Sequence, residues 1–186
     1  MEIEAKYKID SHEAMRARLR GIDARRTGAV REVNHIFDDA GRALLASDRG
    51  LRLRERFALD GPAVSALLTY KGRRVDAALK IREEIETPVG DPAAAFRILT
   101  ALGFVEVVRF EKRRESWRLG DCEVDLDELP FLGTYLEIEG ADESAVEQVA
   151  RSLGLAESGR IRSSYVALVC AWCRMRGMPE NRLAFE

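Results

Sequence analysis

One triplet occurs three times in this chain, as Glu2-Ile3-Glu4, Glu84-Ile85-Glu86 and Glu137-Ile138-Glu139. Residues two apart in a β-strand point to the same face. Each triplet therefore offers two adjacent carboxylates, with its isoleucine on the opposite face. Carboxylates at that density must face water, pair with bases or hold cations. Bases occur at the same spacing. Arg52, Arg54 and Arg56 alternate with Leu51, Leu53 and Glu55, and Lys80 and Arg82 share a face with Glu84 and Glu86. Thr69 and Lys71 flank Tyr70, and Lys112, Arg114 and Ser116 share a face. Glu123, Asp125 and Asp127 alternate with Cys122, Val124 and Leu126.

A wetted sheet face accounts for any one of these strands. It accounts less well for the set, because strands deplete Asp and Glu, and here acids and bases dominate the polar faces. The economical alternative is a closed sheet with a charged interior and an apolar exterior covered by helices. Barrels normally fill with apolar side chains, so a charged interior must hold water and a charged ligand. The cations are Lys6, Arg52, Arg54, Lys71, Lys80, Arg82, Lys112 and Arg114. The anions are Glu2, Glu4, Glu84, Glu86, Asp125, Asp127, Glu137 and Glu139. Arg and Lys suit phosphate oxygens, and carboxylate clusters without His or Cys suit hard cations such as Mg²⁺ or Mn²⁺. No Gly-x-x-x-x-Gly-Lys-Ser/Thr run occurs, so phosphate would be held by side chains rather than a backbone cradle.

The elements that must position these groups are legible. Residues 1–9 alternate as a strand, and Asp10 with Glu13 forms a capping box for a helix carrying Met15, Leu19 and Ile22. Strands are predicted at Val30–Phe37, Leu51–Leu59, Ala63–Tyr70 and Leu79–Thr87. A turn at Asp39-Ala40-Gly41 leads into a short segment at Arg42–Ala46, and a loop spans Lys71–Asp76. Asp91 caps a helix with Pro92 at its first position, a stripe of Phe96, Leu99 and Leu102, and a stop at Gly103. Further strands read as Val105–Leu119, Cys122–Glu128 and Gly133–Glu139. A helix follows from Asp142 to Gly154 through Val146, Val149 and Leu153, and another from Ser163 to Arg174 buries Val166, Val169 and Trp172. Strand, Asp-capped helix and Gly stop thus recur three times, the stops falling near Gly21, Gly103 and Gly154. The fold class is α+β: an eight-stranded antiparallel closed barrel or tunnel, helices outside, in one domain over residues 1–175. Residues 176–186 read as a loose polar tail.

The chain has 186 residues, 46% apolar and 33% charged, and its 30 basic and 32 acidic side chains leave a net charge of −2. A nucleic-acid binder would show a basic excess. No signal peptide and no membrane span are evident. Cys122, Cys170 and Cys173 do not form a disulfide framework, so a cytoplasmic protein is expected, with a homodimer kept as a candidate assembly.

Together these motifs resemble the CYTH domains, or triphosphate tunnel metalloenzymes, a family named for class IV adenylyl cyclases and thiamine triphosphatases. The resemblance rests on Glu2-Ile3-Glu4-Ala5-Lys6, Asn34 to Asp38, Leu51-Arg52-Leu53-Arg54, Thr69-Tyr70-Lys71 and Lys80 to Glu86. It continues through Lys112-Arg113-Arg114, Asp125-Leu126-Asp127, Leu132-Gly133 and Glu137-Ile138-Glu139, in the family's order. One departure is Ser163, where the family often has Lys before Ser-Tyr; Arg160 or Arg162 is the candidate substitute.

The resemblance implies an antiparallel tunnel open at both ends. It implies metal ligands Glu2, Glu4, Glu84, Asp125, Glu137 and Glu139 for Mg²⁺ or Mn²⁺. Phosphates fall to Lys6, Arg52, Arg54, Lys71, Lys80, Arg82, Lys112 and Arg114, with catalytic roles for Lys6, Arg114 and Asp125. The implied substrate is a small triphosphate: ATP, tripolyphosphate or thiamine triphosphate. A class IV-like adenylyl cyclase is the first expectation. A triphosphatase and a non-catalytic phosphate- or nucleotide-binding module are the alternatives.

Overall fold

The computed structural model describes residues 2–59, 62–75 and 79–186, with Glu2 and Lys80 described by their backbone alone. The roles expected of the Glu2 and Lys80 side chains therefore lie outside the described residues. The strands are β1 (Glu2–Lys8), β2 (Arg25–Asp38), β3 (Gly50–Ala58), β4 (Ala63–Val75), β5 (Lys80–Pro88), β6 (Val105–Leu119), β7 (Cys122–Leu129), β8 (Gly133–Gly140) and β9 (Arg182–Leu183). The helices are α1 (His12–Gly21), α2 (Ala43–Ala46), α3 (Pro92–Ala101), α4 (Glu143–Ser152) and α5 (Tyr165–Met175), with a 3-10 turn at Glu157–Gly159.

Strand neighbours run β2-β3-β4-β5-β1-β8-β7-β6, and β2 also pairs with β6, so these strands close into a ring of eight. Every pairing in the ring is antiparallel. The β1–β5 seam is short, from Glu2↔Arg82 to Glu4↔Lys80. Beyond it the chain after α4 takes over β1: Tyr7 bridges Arg160, and the Ile161 amide donates to the Lys6 carbonyl at 2.8 Å.

The recurring strand–helix–stop unit holds in detail for α3 and α4. Asp91 and Asp142 accept from the amides of Ala94 and Ala145. Gly103 and Gly154 follow in the left-handed region, at φ 90° and 69°, where a Cβ is disfavoured. α1 differs. Ser11, not Asp10, caps it by accepting from the Ala14 amide, and Asp23 rather than Gly21 takes the left-handed turn, at φ 58°. Asp tolerates that conformation better than most side chains.

Where a loop was expected at Lys71–Asp76, β4 continues to Val75. A register shift between Lys71 and Arg74 lets Arg74 and Val75 pair with Arg82 and Ile81. The β4–β5 hairpin thus carries on beyond the irregularity. The end of the chain corrects a second expectation. Arg182 and Leu183 pair with Arg109 and Phe110 as β9, and Leu183 is buried.

Two apolar clusters lie outside the ring. One packs α1 and α4 onto β1, β7 and β8 through Leu19, Val124, Leu136, Ile138, Val146 and Leu153. The other packs α3 onto β2 and β3 through Phe37, Leu53 and Leu99. Leu102 was expected in the α3 stripe but is 70% exposed, because the helix has already turned it away at its C-cap. The triplet isoleucines divide likewise. Ile3 and Ile138 lie under helices, whereas Ile85 is 59% exposed because none of the apolar clusters reaches the outer face of β5 there.

A third cluster is of another kind. Phe110, Val108, Leu129 and Tyr135 share strand faces with the charged set, and they pack with Tyr165, Val169 and Cys173 of α5 and with Leu183. α5 therefore seats its apolar face against the ends of β6, β7 and β8. The eight-stranded ring is the tunnel-type fold expected. An apolar helix face had to be buried somewhere, and the strand ends offered an apolar seat.

Candidate active site

Register alone assembles one wall of the interior. Cross-strand partners give the row Glu4–Glu139–Glu123, then Lys6–Glu137–Asp125–Ser116, then Lys8–Tyr135–Asp127–Arg114, running β1-β8-β7-β6. Directly opposed residues hold their Cβ atoms about 4.5–5.5 Å apart. Acids and bases from four strands thus meet without any loop.

Lys6 is the hub of the β1 side. Its Nζ lies 3.3 Å from Glu4 Oε1 and 3.0 Å from Glu137 Oε1, donates to the Ser163 carbonyl at 3.3 Å, and sits 4.0 Å from the centre of the Tyr165 ring. Burial disfavours its charge, but Glu137 and Glu4 outweigh that and raise its pKa. Arg114 is the second hub. Nη1 lies 2.5 Å from Asp125, Nε donates to Asp127 at 2.8 Å, and Nη2 reaches Asp127 and Glu137. Burial again opposes the charge, and Asp125 and Asp127 hold the pKa well above the usual guanidinium value. Asp125 accepts from Ser116 at 2.5 Å. Its burial, only partly offset by Arg114, lifts its pKa to about 6.

The opposite wall comes from β2 to β5. Arg54 reaches Glu32 at 3.5 Å and Glu86 at 3.2 Å, and Arg52 donates to Thr69 at 3.4 Å. Lys71 pairs with Glu84. The second triplet therefore pairs with Lys71, Arg52 and Arg54. Arg82 donates instead to the carbonyls of Gly72 at 2.9 Å and Asp48 at 3.0 Å, bracing the chain near the seam. Lys112 lies 3.1 Å from Asp127 and 3.4 Å from Glu32, bridging the walls.

Three residues gain roles that the sequence reading did not give them. Glu32 is fully buried, 3.1 Å from Arg56 and close to Arg54 and Lys112. Burial opposes its charge, but Lys112 and Arg54 hold its carboxyl well below the usual range. The signal was available: Glu32 and Asn34 alternate with Val33 and His35 along β2, like the other charged faces. Tyr165, seen only as part of Ser164-Tyr165, donates its hydroxyl to Asp127 at 2.9 Å. Asp38, in the Asn34–Asp38 segment, is a structural cap: it accepts from the amides of Asp39, Leu44 and Leu45 and ties β2 to α2.

The interior opens beside the β1–β5 seam into a cavity of about 330 Å³. Glu4, Lys6, Arg74, Val75, Leu79 and Arg162 are among its lining residues. Both candidate substitutes for Ser163 reach this cavity. Arg160 is also anchored outside the wall, on Tyr7 at 3.1 Å.

The residues present fit a hard divalent cation by donor type and adjacency: Glu4, Asp125, Glu137 and Glu139 are oxygen ligands on neighbouring strands. Among the described residues no three acids converge as a metal-binding group, because Lys6 and Arg114 stand between them. Glu84 lies apart from this set, on Lys71.

Known proteins share this pattern. The model of the CYTH domain matches residues 1–165. The chain belongs to the CYTH family. This CYTH protein is 29% identical over 177 residues to a Methanocaldococcus jannaschii protein, MJ0240, which carries a provisional adenylate cyclase name; the match covers 90% of this chain and 98% of that one. Its fold matches PH1819 of Pyrococcus horikoshii OT3 with a TM-score of 0.80 at 27% identity, covering 92% of this chain and 99% of that one. It also matches HpAC1 of Hippeastrum, described as having a dominant triphosphatase activity, with a TM-score of 0.68 at 20% identity, covering 92% and 96%. Among the described residues no helix is long and apolar enough to cross a membrane.

Proposed function

We propose that this CYTH protein is a metal-dependent enzyme acting on a triphosphate, with conversion of ATP to cyclic AMP and pyrophosphate as its leading activity. The observation that carries the reading is the pair of hubs: Lys6 on Glu4 and Glu137, and Arg114 on Asp125, Asp127 and Glu137, inside a closed strand ring. A bound triphosphate gives these bases the oxygens they recognise. Glu4, Asp125, Glu137 and Glu139, with Glu2, are the candidate ligands for Mg²⁺ or Mn²⁺, which would supply charge neutralisation at the phosphates.

The chain's own residues do the rest. Arg52, Arg54, Lys71 and Lys112 line the bases' side of the interior and orient the phosphates. Lys6 and Arg114 offset charge on the reacting phosphoryl group. Asp125, with a pKa of about 6, gives up its proton to hold the cation. The cavity at the seam, with Val75, Leu79 and Ile161 on its lining, suits an organic group attached to the triphosphate. The names of the relatives point the same way for MJ0240.

Hydrolysis by the same ring is the second reading. HpAC1's described activity favours it, and the substrate need only shift along the bases for water to replace the ribose hydroxyl. Incubation with ATP and, separately, with tripolyphosphate, each with Mg²⁺ or Mn²⁺, tests both. Cyclic AMP with pyrophosphate supports the cyclase, and orthophosphate supports the hydrolase. Binding without turnover would leave only a phosphate-binding module.

A further inference from the structure

Among the described residues, three buried donors inside the ring lack a hydrogen-bond partner: Nδ2 of Asn34, Nε of Arg52 and Nε of Arg54. They sit together. Arg54 is directly opposite Asn34 across β2–β3, and Arg52 is two residues along the same face of β3. Asn34 shares the interior face with Glu32, whereas its neighbour His35 points outward, its ring 5.7 Å from that of Phe96 on the α3 side. Asn34 is 1% exposed and Arg54 6%. Native proteins leave few buried donors unpaired, and one water, with two lone pairs, cannot accept from all three.

Both terminal nitrogens of Arg54 and one of Arg52 are already committed. Arg54 reaches Glu32 and Glu86 through Nη1 and Nη2, and Arg52 reaches Thr69 through Nη2. These contacts hold the two guanidinium groups, while their Nε atoms stay buried without a partner on the strand opposite Asn34. We propose that Asn34, with the Nε edges of Arg52 and Arg54, forms a subsite that binds one phosphoryl group of the substrate, making Asn34 a substrate-contacting residue. The inference rests on the triphosphate reading above and adds a neutral residue to its binding set.

Neutrality is the point of the asparagine. Glu32, two residues earlier on the same face, already pairs with Arg54 and Arg56. A second carboxylate at position 34 would occupy the free edge of Arg54 and cancel the charge meant for the ligand. The surroundings are cation-rich: burial, and next Arg52, push the Arg54 pKa down to about 10, which still leaves it charged at neutral pH.

The test uses Asn34→Asp and Asn34→Ala in the full chain, with tripolyphosphate as the probe. Affinity is measured by calorimetry with and without Mg²⁺, and thermal melts are recorded with and without probe. Asn34→Asp is expected to weaken binding roughly tenfold or more, about 1.4 kcal/mol, and to shrink the probe-induced rise in melting temperature. Its ligand-free melt should stay at or above wild type, since the new carboxylate gains Arg54. Asn34→Ala is expected to weaken binding by a smaller factor. A wild type that binds tripolyphosphate beside folded variants that bind it equally well overturns the subsite and leaves the triphosphate reading intact. Failure of both variants to fold also overturns it, since the amide would then be a support of the wall. A wild type that binds no tripolyphosphate overturns both.

Discussion

The Tyr165 hydroxyl, on the first residue of α5, donates to the fully buried Asp127 of β7 at 2.9 Å. That bond joins α5 to the carboxylate shared by Lys112 and Arg114. Burial and Asp127 push the phenol pKa well up, so Tyr165 keeps its proton. Tyr165→Phe keeps the ring against which Lys6 rests and removes the donor. Loss of a hydrogen bond to a buried charge costs about 1.5–3 kcal/mol, a fall in melting temperature of roughly 3–10 °C for a domain of this size. A thermal melt within 1 °C of wild type would show that the bond contributes little.

Glu137 touches both hubs, so Glu137→Ala is expected to abolish metal-dependent turnover of whichever triphosphate is used. Removal of the metal by a chelator should do the same to wild type. The variant should still fold, because Glu4 and Asp127 remain to accompany Lys6 and Arg114. Far-UV circular dichroism checks the fold and product analysis the activity. Full turnover by the variant would remove Glu137 from the metal set.

Asp125 gives the pH profile. Its folded pKa, about 6, is above the unfolded value of 3.8 because of burial. Protons are therefore bound more tightly in the folded state, and this group's contribution to stability falls as pH rises from about 4 to 6, then levels. Binding of Mg²⁺ or Mn²⁺, which needs the ionised form, should strengthen as pH rises through about 6. Asp125→Asn should remove that limb as well as most of the activity. A metal affinity flat from pH 5 to 8 would rule Asp125 out as a ligand.

Glu32 behaves in the opposite sense. Its folded pKa lies well below the ordinary glutamate value of 4.5, with Lys112 and Arg54 outweighing its burial. The stability it contributes is present above pH 4.5 and is lost as pH falls through the depressed folded value. Glu32→Gln leaves Lys112, Arg54 and Arg56 short of a counter-charge. Breaking such a buried pair typically costs about 3–5 kcal/mol. Urea unfolding at pH 7 measures the loss, and the gap from wild type should narrow on acidification.

The C-terminal strand can be tested by stopping the chain after Met178. Burying a leucine side chain is worth about 1.5–3 kcal/mol, and Leu183 is 2% exposed against Phe110 and the α5 cluster. Truncation should lower the melting temperature by several degrees. An unchanged melt would show that β9 adds nothing to the seat of α5.

The charged strands were legible because period-two alternation is a local property. Arg52 to Arg56, Lys112 to Ser116 and Cys122 to Asp127 each show it within a few residues, and the caps Asp91 and Asp142 are as local. Less legible were features that depend on partners distant in the chain. β1 extends its pairing because Arg160 and Ile161 come alongside Tyr7 and Lys6. Arg82 reaches the carbonyl of Asp48, a contact that its own strand does not announce. Glu32 drew no notice because its cations lie on β3 and β6.

The sequence by itself determined which faces of which strands are acidic and which basic, and therefore that a triphosphate with a hard cation is the ligand class to consider. Side-chain alternation and charge type need no third dimension. The tertiary structure decided how these charges are distributed. It set Glu4 and Glu137 of the first and third triplets around Lys6, gave Glu84 and Glu86 of the second to Lys71 and the arginines, and brought Tyr165 of α5 onto Asp127. Those outcomes depend on register between strands far apart in the chain and on which buried charges find partners, and a single strand carries neither.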